Sequence, residues 1–323
     1  ADVRAHITLT TASRTVANGA FRFAPPFLAV IAKGNGVSLA GVGIALAVGE
    51  LAGLLSPLLG IWVERLQRRN AMSIGLAGVA AASVLAAGSR HVALLALALI
   101  ALIMLPTALG LREAPHARTS GGQTIRQALA EAFRNGSFWL LTAGYFVCGF
   151  QVVFIAVHLP SYLKDAGLGP NVAVTALALI GLFNIAGTWA AGSLGARLPK
   201  KYLLTFIYSA RSVVIALFLL APLSPLSVYI FASAMGLLWL STIPLTNGIV
   251  GVVFGVRYLA MLGGFVFFSH QIGSFFGVWL GGRIYDATGN YNAVWMIAIA
   301  LGIFAALINL PIREKPLARL AAA

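Results

Sequence analysis

The 323-residue sequence contains few charged side chains, very little cysteine and none of the common catalytic motifs. Only 9% of its residues are Asp, Glu, Lys or Arg, whereas soluble domains carry roughly 25%. The single cysteine, Cys148, excludes an intrachain disulfide. A His-Glu-x-x-His zinc motif, a Gly-x-Ser-x-Gly nucleophile elbow and a Walker-type glycine-rich loop with lysine are all missing. We therefore expect neither an enzyme nor an ATP-driven pump, and we predict no cofactor and no metal site.

Hydrophobic residues are abundant instead and make up 60% of the chain. A helix crosses a bilayer core of about 30 Å with roughly 20 apolar residues, and apolar runs of this length recur along the whole sequence. The sequence therefore predicts an all-α polytopic membrane protein. The ten predicted spans cover residues 7–32, 37–62, 70–88, 91–111, 138–163, 171–195, 202–222, 226–254, 257–282 and 290–312.

The net charge of +14 is distributed unevenly between the two sides of these spans. Fifteen of the 22 Lys and Arg residues lie at the termini or in loops that follow even-numbered spans, and four lie in loops on the opposite side. Positively charged loops stay in the cytoplasm, so we expect a bacterial-type inner-membrane protein with both termini cytoplasmic. No basic patch carries interleaved aromatic residues, so the expected partner is the lipid bilayer and not nucleic acid.

The longest loop divides the chain. We predict an N-terminal transmembrane bundle over residues 1–112, a cytoplasmic linker over 113–137 and a six-helix transmembrane bundle over 138–323. The linker contains a segment, 124–134, whose apolar residues fall on one helical face, which predicts an amphipathic helix on the membrane surface. The residues of that face are Ile125, Leu129, Ala132 and Phe133.

A ten-residue string occurs twice, at Gly60–Arg69 and at Gly192–Lys201. Each copy follows one apolar span and precedes another. Each has glycine first, arginine sixth and two cations at the ninth and tenth positions. An internal repeat of this kind indicates two structurally related halves, and we therefore expect two pseudo-symmetric helical bundles.

The repeated string resembles the cytoplasmic signature of the major facilitator superfamily of secondary transporters. That signature runs Gly, three residues, Asp, Arg, one residue, Gly and two basic residues; here Glu64 stands for the Asp and Gln67 for the second Gly. The second copy has lost its acid at Ala196. The later half, with Leu159–Leu163 and Phe268–Gln271, looks most like bacterial monocarboxylate or organic-anion porters of that superfamily.

The number of spans departs from the family pattern of six in each half. Four spans are predicted in the first half and six in the second. The absence of one hairpin, equivalent to the family's fourth and fifth helices, explains the difference and preserves the sidedness. The residues leave open whether this hairpin is missing by nature or was left out of the chain.

The resemblance implies alternating access, in which two halves rock around a site near the bilayer midplane. Charged residues at that depth are costly and mark functional sites by default. Arg22 and Glu50 lie in the middle of the first two predicted spans and are the leading pair. Glu50 as a proton carrier, Arg22 as an anion anchor and a purely structural ion pair all stay open as interpretations.

Further polar candidates lie inside the spans of the second half. His270 and Gln271 occupy the ninth predicted span, where organic-anion porters of this type often place a cation to meet the substrate carboxylate. His270 can also titrate near physiological pH. For Arg211, in the seventh span, we favour a structural role in which the side chain reaches a helix carbonyl or snorkels. The remaining candidate cavity residues are Gln151, His158, Asn184, Trp239, Thr246 and Asn247.

The ninth predicted span also carries glycine at every fourth position. Gly273, Gly277 and Gly281 form a small-residue ridge, and such ridges let helix backbones approach closely in lipid. We favour simple packing over a mobile hinge as the explanation.

The loop strings are predicted to gate transport. Glu64 ends the second span, and Arg257 at the start of the ninth span is its expected partner; breaking this contact favours the inward-open state. The cations also orient the protein in the membrane, and both roles can hold together. The predicted gating residues are Gly60, Glu64, Arg65, Arg68, Arg69, Arg197 and Arg257.

The preferred function is secondary transport of a small organic anion, such as a monocarboxylate, with proton coupling as an option. Two alternatives stay open: efflux of drugs or metabolites by proton antiport, and a non-transporting membrane scaffold or sensor. The expected partners are a small-molecule substrate and protons, and the chain is expected to act as a monomer. Fold alone does not determine the substrate.

Overall fold

The structure is a computed structural model that describes residues 123–321, and within this range the chain forms nine helices and no strand. The ten-residue helix α1 comes first and the short helix α9 last; the others are longer and apolar. The bounds are α1 Ile125–Arg134, α2 Gly136–Asp165, α3 Pro170–Gly195, α4 Lys200–Leu220, α5 Pro225–Leu238, α6 Thr242–Phe254, α7 Leu259–Thr288, α8 Asn292–Asn309 and α9 Ala318–Ala321.

Six segments of this range are long and apolar enough to cross a membrane: α2, α3, α4, the continuous stretch Pro225–Phe254, α7 and α8. They match the six spans predicted between residues 138 and 312. The largest boundary error is at the end of α7, which the sequence placed at residue 282. The helix continues through Arg283 and ends before Gly289, whose φ of 71° stops it in the left-handed conformation. The four spans predicted before residue 122 lie outside the described residues.

Local sequence signals set the other helix ends. Thr124 and Gln127 form a capping box at the start of α1: the Gln127 backbone N–H donates to Thr124 Oγ1 over 3.3 Å, and the Thr124 N–H donates to Gln127 Oε1 over 2.8 Å. Ser224 and Ser227 form a second capping box at the start of α5. At the end of α6, Gly255 has a φ of 82°, a backbone conformation that glycine adopts without steric cost.

The amphipathic helix predicted in the linker is present as α1, but its apolar face packs partly on the bundle. Ala128 and Ala132 are buried, and the Phe133 ring lies edge-on to Phe138 and Phe265, with centroid distances of 5.9 and 5.3 Å. The predicted face therefore needs one addition: Ala128, which the sequence analysis left out, is buried together with Ala132.

Polar contacts gather the beginnings of α2 and α4 and the end of α8 at one end of the bundle. The Arg313 backbone N–H donates to Ser137 Oγ over 2.9 Å, and the Lys201 N–H donates to Glu314 Oε1 over 2.6 Å. Arg319 pairs with Glu131 of α1 over 2.8 Å. The chain crosses the bundle six times between residues 136 and 309. Because this number is even, the end of α8 returns to the end of the bundle where α2 begins.

Glycine residues on α2 and α7 bring these two helices into close contact. A Cβ atom at Gly149 would collide with the His270 carbonyl, and one at Gly273 with the Phe146 carbonyl. A Cβ at Gly277 would lie 2.5 Å from the Phe150 carbonyl oxygen. The glycine ridge of the ninth predicted span is therefore a packing surface, as the sequence suggested.

We predict that Gly273→Leu destabilises the bundle by about 3 kcal/mol, because its side chain cannot be accommodated without separating α2 from α7. Gly282→Leu on the same helix is the matched control, since a Cβ there meets nothing within 4 Å. Thermal unfolding of the purified protein in detergent measures both variants. Equal losses of stability in the two variants would contradict the close-packed interface.

Candidate functional site

The long apolar segment Pro225–Phe254 is interrupted at its middle. α5 ends at Leu238 and α6 begins at Thr242, so residues Trp239–Ser241 are not helical. The last carbonyls of α5 and the first N–H groups of α6 therefore lack the partners that a continuous helix would supply. In the hydrocarbon core each unpaired backbone group costs several kcal/mol, so this break requires side-chain partners.

Arg211 of α4 satisfies the carbonyls at the end of α5. Its side chain is fully buried. Nε and Nη2 donate to the Leu238 carbonyl over 3.2 and 2.7 Å, and Nη2 also donates to the Trp239 carbonyl. The guanidinium lies at the negative end of the α5 dipole, which further stabilises its charge. The structural role predicted for Arg211, contact with a helix carbonyl, is what the geometry shows.

Asn184 of α3 satisfies the other side of the break. Its Oδ1 accepts a hydrogen bond of 2.9 Å from the Leu240 backbone N–H and one of 3.2 Å from Thr188 Oγ1. The side chain is buried. Arg211 and Asn184 together replace the backbone hydrogen bonds that the interruption removes.

Gln151 of α2 links this break to two further helices. Its Oε1 accepts from Arg211 Nη1 over 3.4 Å, while its Nε2 donates to the Ala298 carbonyl of α8 over 2.8 Å. The side chain is fully buried, and both ends of its amide are hydrogen-bonded. Gln151 therefore fixes the orientation of Arg211 relative to α2 and α8.

His270 and Gln271 of α7 extend the polar layer. His270 Nδ1 lies 3.1 Å from Gln271 Oε1 and 3.4 Å from Ser274 Oγ. The imidazole stacks on Phe267 with a centroid distance of 5.2 Å, and the Tyr145 ring lies 5.1 Å away. His270 is 8% exposed, so it is screened from bulk solvent by aromatic neighbours.

Cys148 and Thr242 connect His270 to the helix break. The Cys148 thiol lies 3.2 Å from the Thr242 hydroxyl at the first residue of α6. The same thiol interacts with His270 and lies within electrostatic reach of Arg211. A buried polar layer thus runs from α7 through α2 to the broken helix; its side chains are Cys148, Gln151, Asn184, Arg211, Thr242, His270, Gln271 and Ser274.

The structure brings together five of the predicted pathway residues and separates two. Gln151, Asn184, Trp239, His270 and Gln271 lie in or beside the polar layer. His158 instead bridges helices, with Nε2 3.0 Å from the Val278 carbonyl. Asn247, on α6, is exposed. Arg22 and Glu50 lie outside the described residues.

The rings of Phe154 and Tyr291 lie beside His158, with centroid distances of 5.6 and 5.3 Å. Tyr291 lies between α7 and α8. Burial raises the pKa of Tyr291 to about 12, so its phenol stays protonated at physiological pH. His158 therefore belongs to an aromatic packing cluster and not to the polar layer.

Two of the predicted gating cations are described, and both are exposed. Arg197 follows α3, and the Arg257 guanidinium lies over the Tyr258 ring at 5.4 Å from its centroid. Gly60, Glu64, Arg65, Arg68 and Arg69 lie outside the described residues, so the contact between Glu64 and Arg257 stays a prediction.

Sequence reasoning missed the break itself, because the segment was drawn as one span over 226–254. A signal for it exists in Ser241-Thr242-Ile243-Pro244. Ser and Thr precede helix starts, and proline is tolerated in a first helical turn, where its missing N–H has no acceptor to lose. Cys148, Thr242 and Ser274 were missed because small polar residues are common in transmembrane helices.

The helices and their broken span define a multi-pass α-helical membrane protein. Residues 91–277 match the family model of the Major Facilitator Superfamily. Because this match covers more than half of the sequence, the chain belongs to the Major Facilitator Superfamily.

Curated relatives agree with this family. An uncharacterised MFS-type transporter of Bacillus subtilis (strain 168), YcxA, is 27% identical over 237 residues, which cover 68% of this chain and 56% of that protein. Monocarboxylate transporter 13 of Bos taurus is 28% identical over 224 residues, which cover 68% of this chain and 51% of that protein. The chain thus spans about half the length of the curated relatives it matches.

Solved structures agree in fold. The fucose:proton symporter FucP of E. coli superposes with a TM-score of 0.51 at 14% identity, over 95% of this chain and 86% of that one. The proton:xylose symporter XylE superposes with a TM-score of 0.50 at 15% identity, over 97% of this chain and 82% of that one. At these identities the likeness concerns the fold alone.

We predict that Arg211→Met destabilises the protein by about 3 kcal/mol, because the Leu238 and Trp239 carbonyls lose their partner inside the membrane. Arg211→Lys should lose less, since an ammonium can still donate to one carbonyl. Arg283→Met, at an exposed position of α7, is the control. Unfolding in detergent followed by circular dichroism gives the comparison, and wild-type stability of Arg211→Met would refute the role assigned to Arg211.

Proposed function

We propose that this chain is a secondary transporter that moves a small organic anion of the monocarboxylate class by alternating access, with protons as the coupling ion. The observation that carries the proposal is the buried charge of Arg211, which forms no ion pair with a carboxylate among the residues that the structure describes. Within the described residues, the four hydrogen bonds of Arg211 go to neutral oxygens of Leu238, Trp239 and Gln151. A cation that is not neutralised attracts an anion strongly in a low-dielectric environment.

The broken helix supports the same substrate class. Discontinuous helices form substrate sites in many transporters, because their positive N-terminal ends point toward anionic groups. The N-terminus of α6 lies at the break, beside Arg211 and the Thr242 hydroxyl. The relative named as a monocarboxylate transporter is consistent with a carboxylate substrate.

His270 is proposed as the residue that couples proton and anion. An imidazole can take up and release a proton, and this ring lies in the polar layer with Cys148, Gln271 and Ser274 as neighbours. When protonated it adds a second positive charge to the layer and favours anion binding. When deprotonated it weakens binding and favours release.

Arrangement and topology complete the proposal. The division at residues 112 and 138 and the cytoplasmic location of both termini in a bacterial-type cell agree with the charge distribution of the sequence. A monomeric state is part of the same proposal. Arg22 and Glu50 are proposed as a charge couple of the first half, and Glu64 with Arg257 as a cytoplasmic gate.

We predict that the 323-residue chain, reconstituted in liposomes, takes up labelled lactate, pyruvate or oxalate, and that uptake rises at acidic external pH. His270→Gln should lower uptake by about tenfold or more and flatten its pH dependence, because glutamine cannot be protonated. His158→Gln is the matched control, since that histidine lies in the aromatic cluster away from the polar layer.

The outcomes separate the three functions. Folded protein without flux of any candidate anion would contradict anion transport and favour a scaffold or sensor. Proton-driven extrusion of a cationic dye from inverted vesicles, without anion uptake, would favour drug efflux. If the His270→Gln variant still shows uptake that depends on pH, transport would be supported but His270 would not be the coupling residue. Glu50→Gln, measured in the same assay, then tests the alternative proton carrier.

A further inference from the structure

An open groove runs along the outer surface between α4 and α8. It encloses about 300 Å³ and is lined by Ser209, Val213 and Ala216 of α4 and by Ile299, Ile303 and Leu307 of α8, among others. The rim side chains are well exposed: Val213 is 55%, Ile303 50% and Leu307 61% accessible. Apolar side chains exposed at the middle of a membrane-spanning pair contact lipid tails, so this groove opens toward the hydrocarbon region.

The groove exists because small residues line its floor while the two helices are held at a fixed separation. Ser212 Oγ donates to the Ile299 carbonyl over 3.1 Å, and Thr205 Oγ1 donates to the Ala306 carbonyl over 3.2 Å. These two interhelical hydrogen bonds hold α4 and α8 together along the groove. The walls therefore cannot close simply by moving toward each other, and a preformed cleft remains.

A cationic end lies directly beyond the groove on the same helix pair. Lys201, at the start of α4, donates from Nζ to the Leu310 carbonyl at the end of α8 over 3.0 Å, and the same ammonium lies over the Tyr202 ring at 5.0 Å from its centroid. Leu307 precedes Leu310 by three residues, or about 5 Å of helix. The ammonium thus lies near the boundary where a lipid headgroup meets its acyl chains.

The charge of this end is strongly positive. The segments 197–201 and 310–315 contain five cations and one carboxylate. The carboxylate, Glu314, lies 3.9 Å from the Lys200 ammonium and accepts from the Lys201 backbone N–H. Between residues 123 and 321, no carboxylate forms an ion pair with the Lys201 ammonium. Basic pockets between transmembrane helices bind anionic lipid headgroups.

We propose that the groove between α4 and α8 is a binding site for an anionic phospholipid, with one acyl chain in the cleft and the phosphate at Lys201. A zwitterionic lipid fits the cleft equally well but gains less from the cationic end. The site faces the bilayer and is separate from the buried polar layer, so its occupancy does not depend on the transport proposed above.

The test uses detergent-purified protein titrated with dioleoylphosphatidylglycerol and dioleoylphosphatidylcholine, with bound lipid counted by native mass spectrometry. Phosphatidylglycerol should bind more tightly than phosphatidylcholine. Lys201→Met should weaken phosphatidylglycerol binding about fivefold, the loss expected for one surface cation, and leave phosphatidylcholine unchanged. Lys164→Met, at the exposed far end of α2, is the control for charge.

A second variant tests the cleft itself. Ala216→Phe fills the groove and should weaken both lipids, whereas Ala186→Phe, at an exposed position of α3, should weaken neither. A photoactivatable phosphatidylglycerol should cross-link to peptides within 202–217 and 299–310. Equal affinity for the two lipids, cross-links confined to other helices, or unchanged binding in Ala216→Phe would each overturn the proposal; thermal unfolding verifies that every variant is folded.

Discussion

The rest of the described structure depends on how backbone hydrogen bonds are completed at the interrupted helix. A membrane interior offers no water to the carbonyls of Leu238 and Trp239 or to the N–H of Leu240. Arg211 and Asn184 provide the missing partners from α4 and α3. Because Arg211 also bonds to Gln151, and Gln151 to α8, a single backbone requirement determines how α2, α3, α4 and α8 meet the broken span.

Close packing of α2 against α7 positions the second part of the site. Gly149 and Gly273 face carbonyls of the opposite helix at a separation that no side chain would permit. This contact brings His270 beside the α2 residues Tyr145 and Cys148. Glycine residues, which carry no functional group in their side chains, therefore determine which polar groups lie next to each other. The same principle applies between α3 and α5, where a Cβ at Gly187 would collide with the Leu237 carbonyl, next to the break.

Polar side chains have two kinds of surroundings in this bundle. His158 on α2 is half-buried, and His270 on α7 is buried. His158 contacts one backbone carbonyl within an aromatic cluster, and it holds helices together. His270 contacts side chains that can themselves exchange hydrogen bonds, and its proposed role in proton coupling rests on this arrangement. Sequence position alone could not separate these two cases.

The class of protein, the six helices of the second half and the packing role of the glycine ridge could be predicted from length, hydropathy and spacing, which are local properties of the chain. The family was expected from the resemblance of the repeated string to a known signature. The structural role of Arg211 also followed from its type and depth, since a buried guanidinium must find oxygen atoms. The residue pattern could not show that those oxygens belong to a broken helix, that Cys148 and Thr242 join the polar layer, or that Asn247 lies outside it. Such facts depend on which helix faces which, and that choice is made by interhelical packing among residues far apart in the sequence.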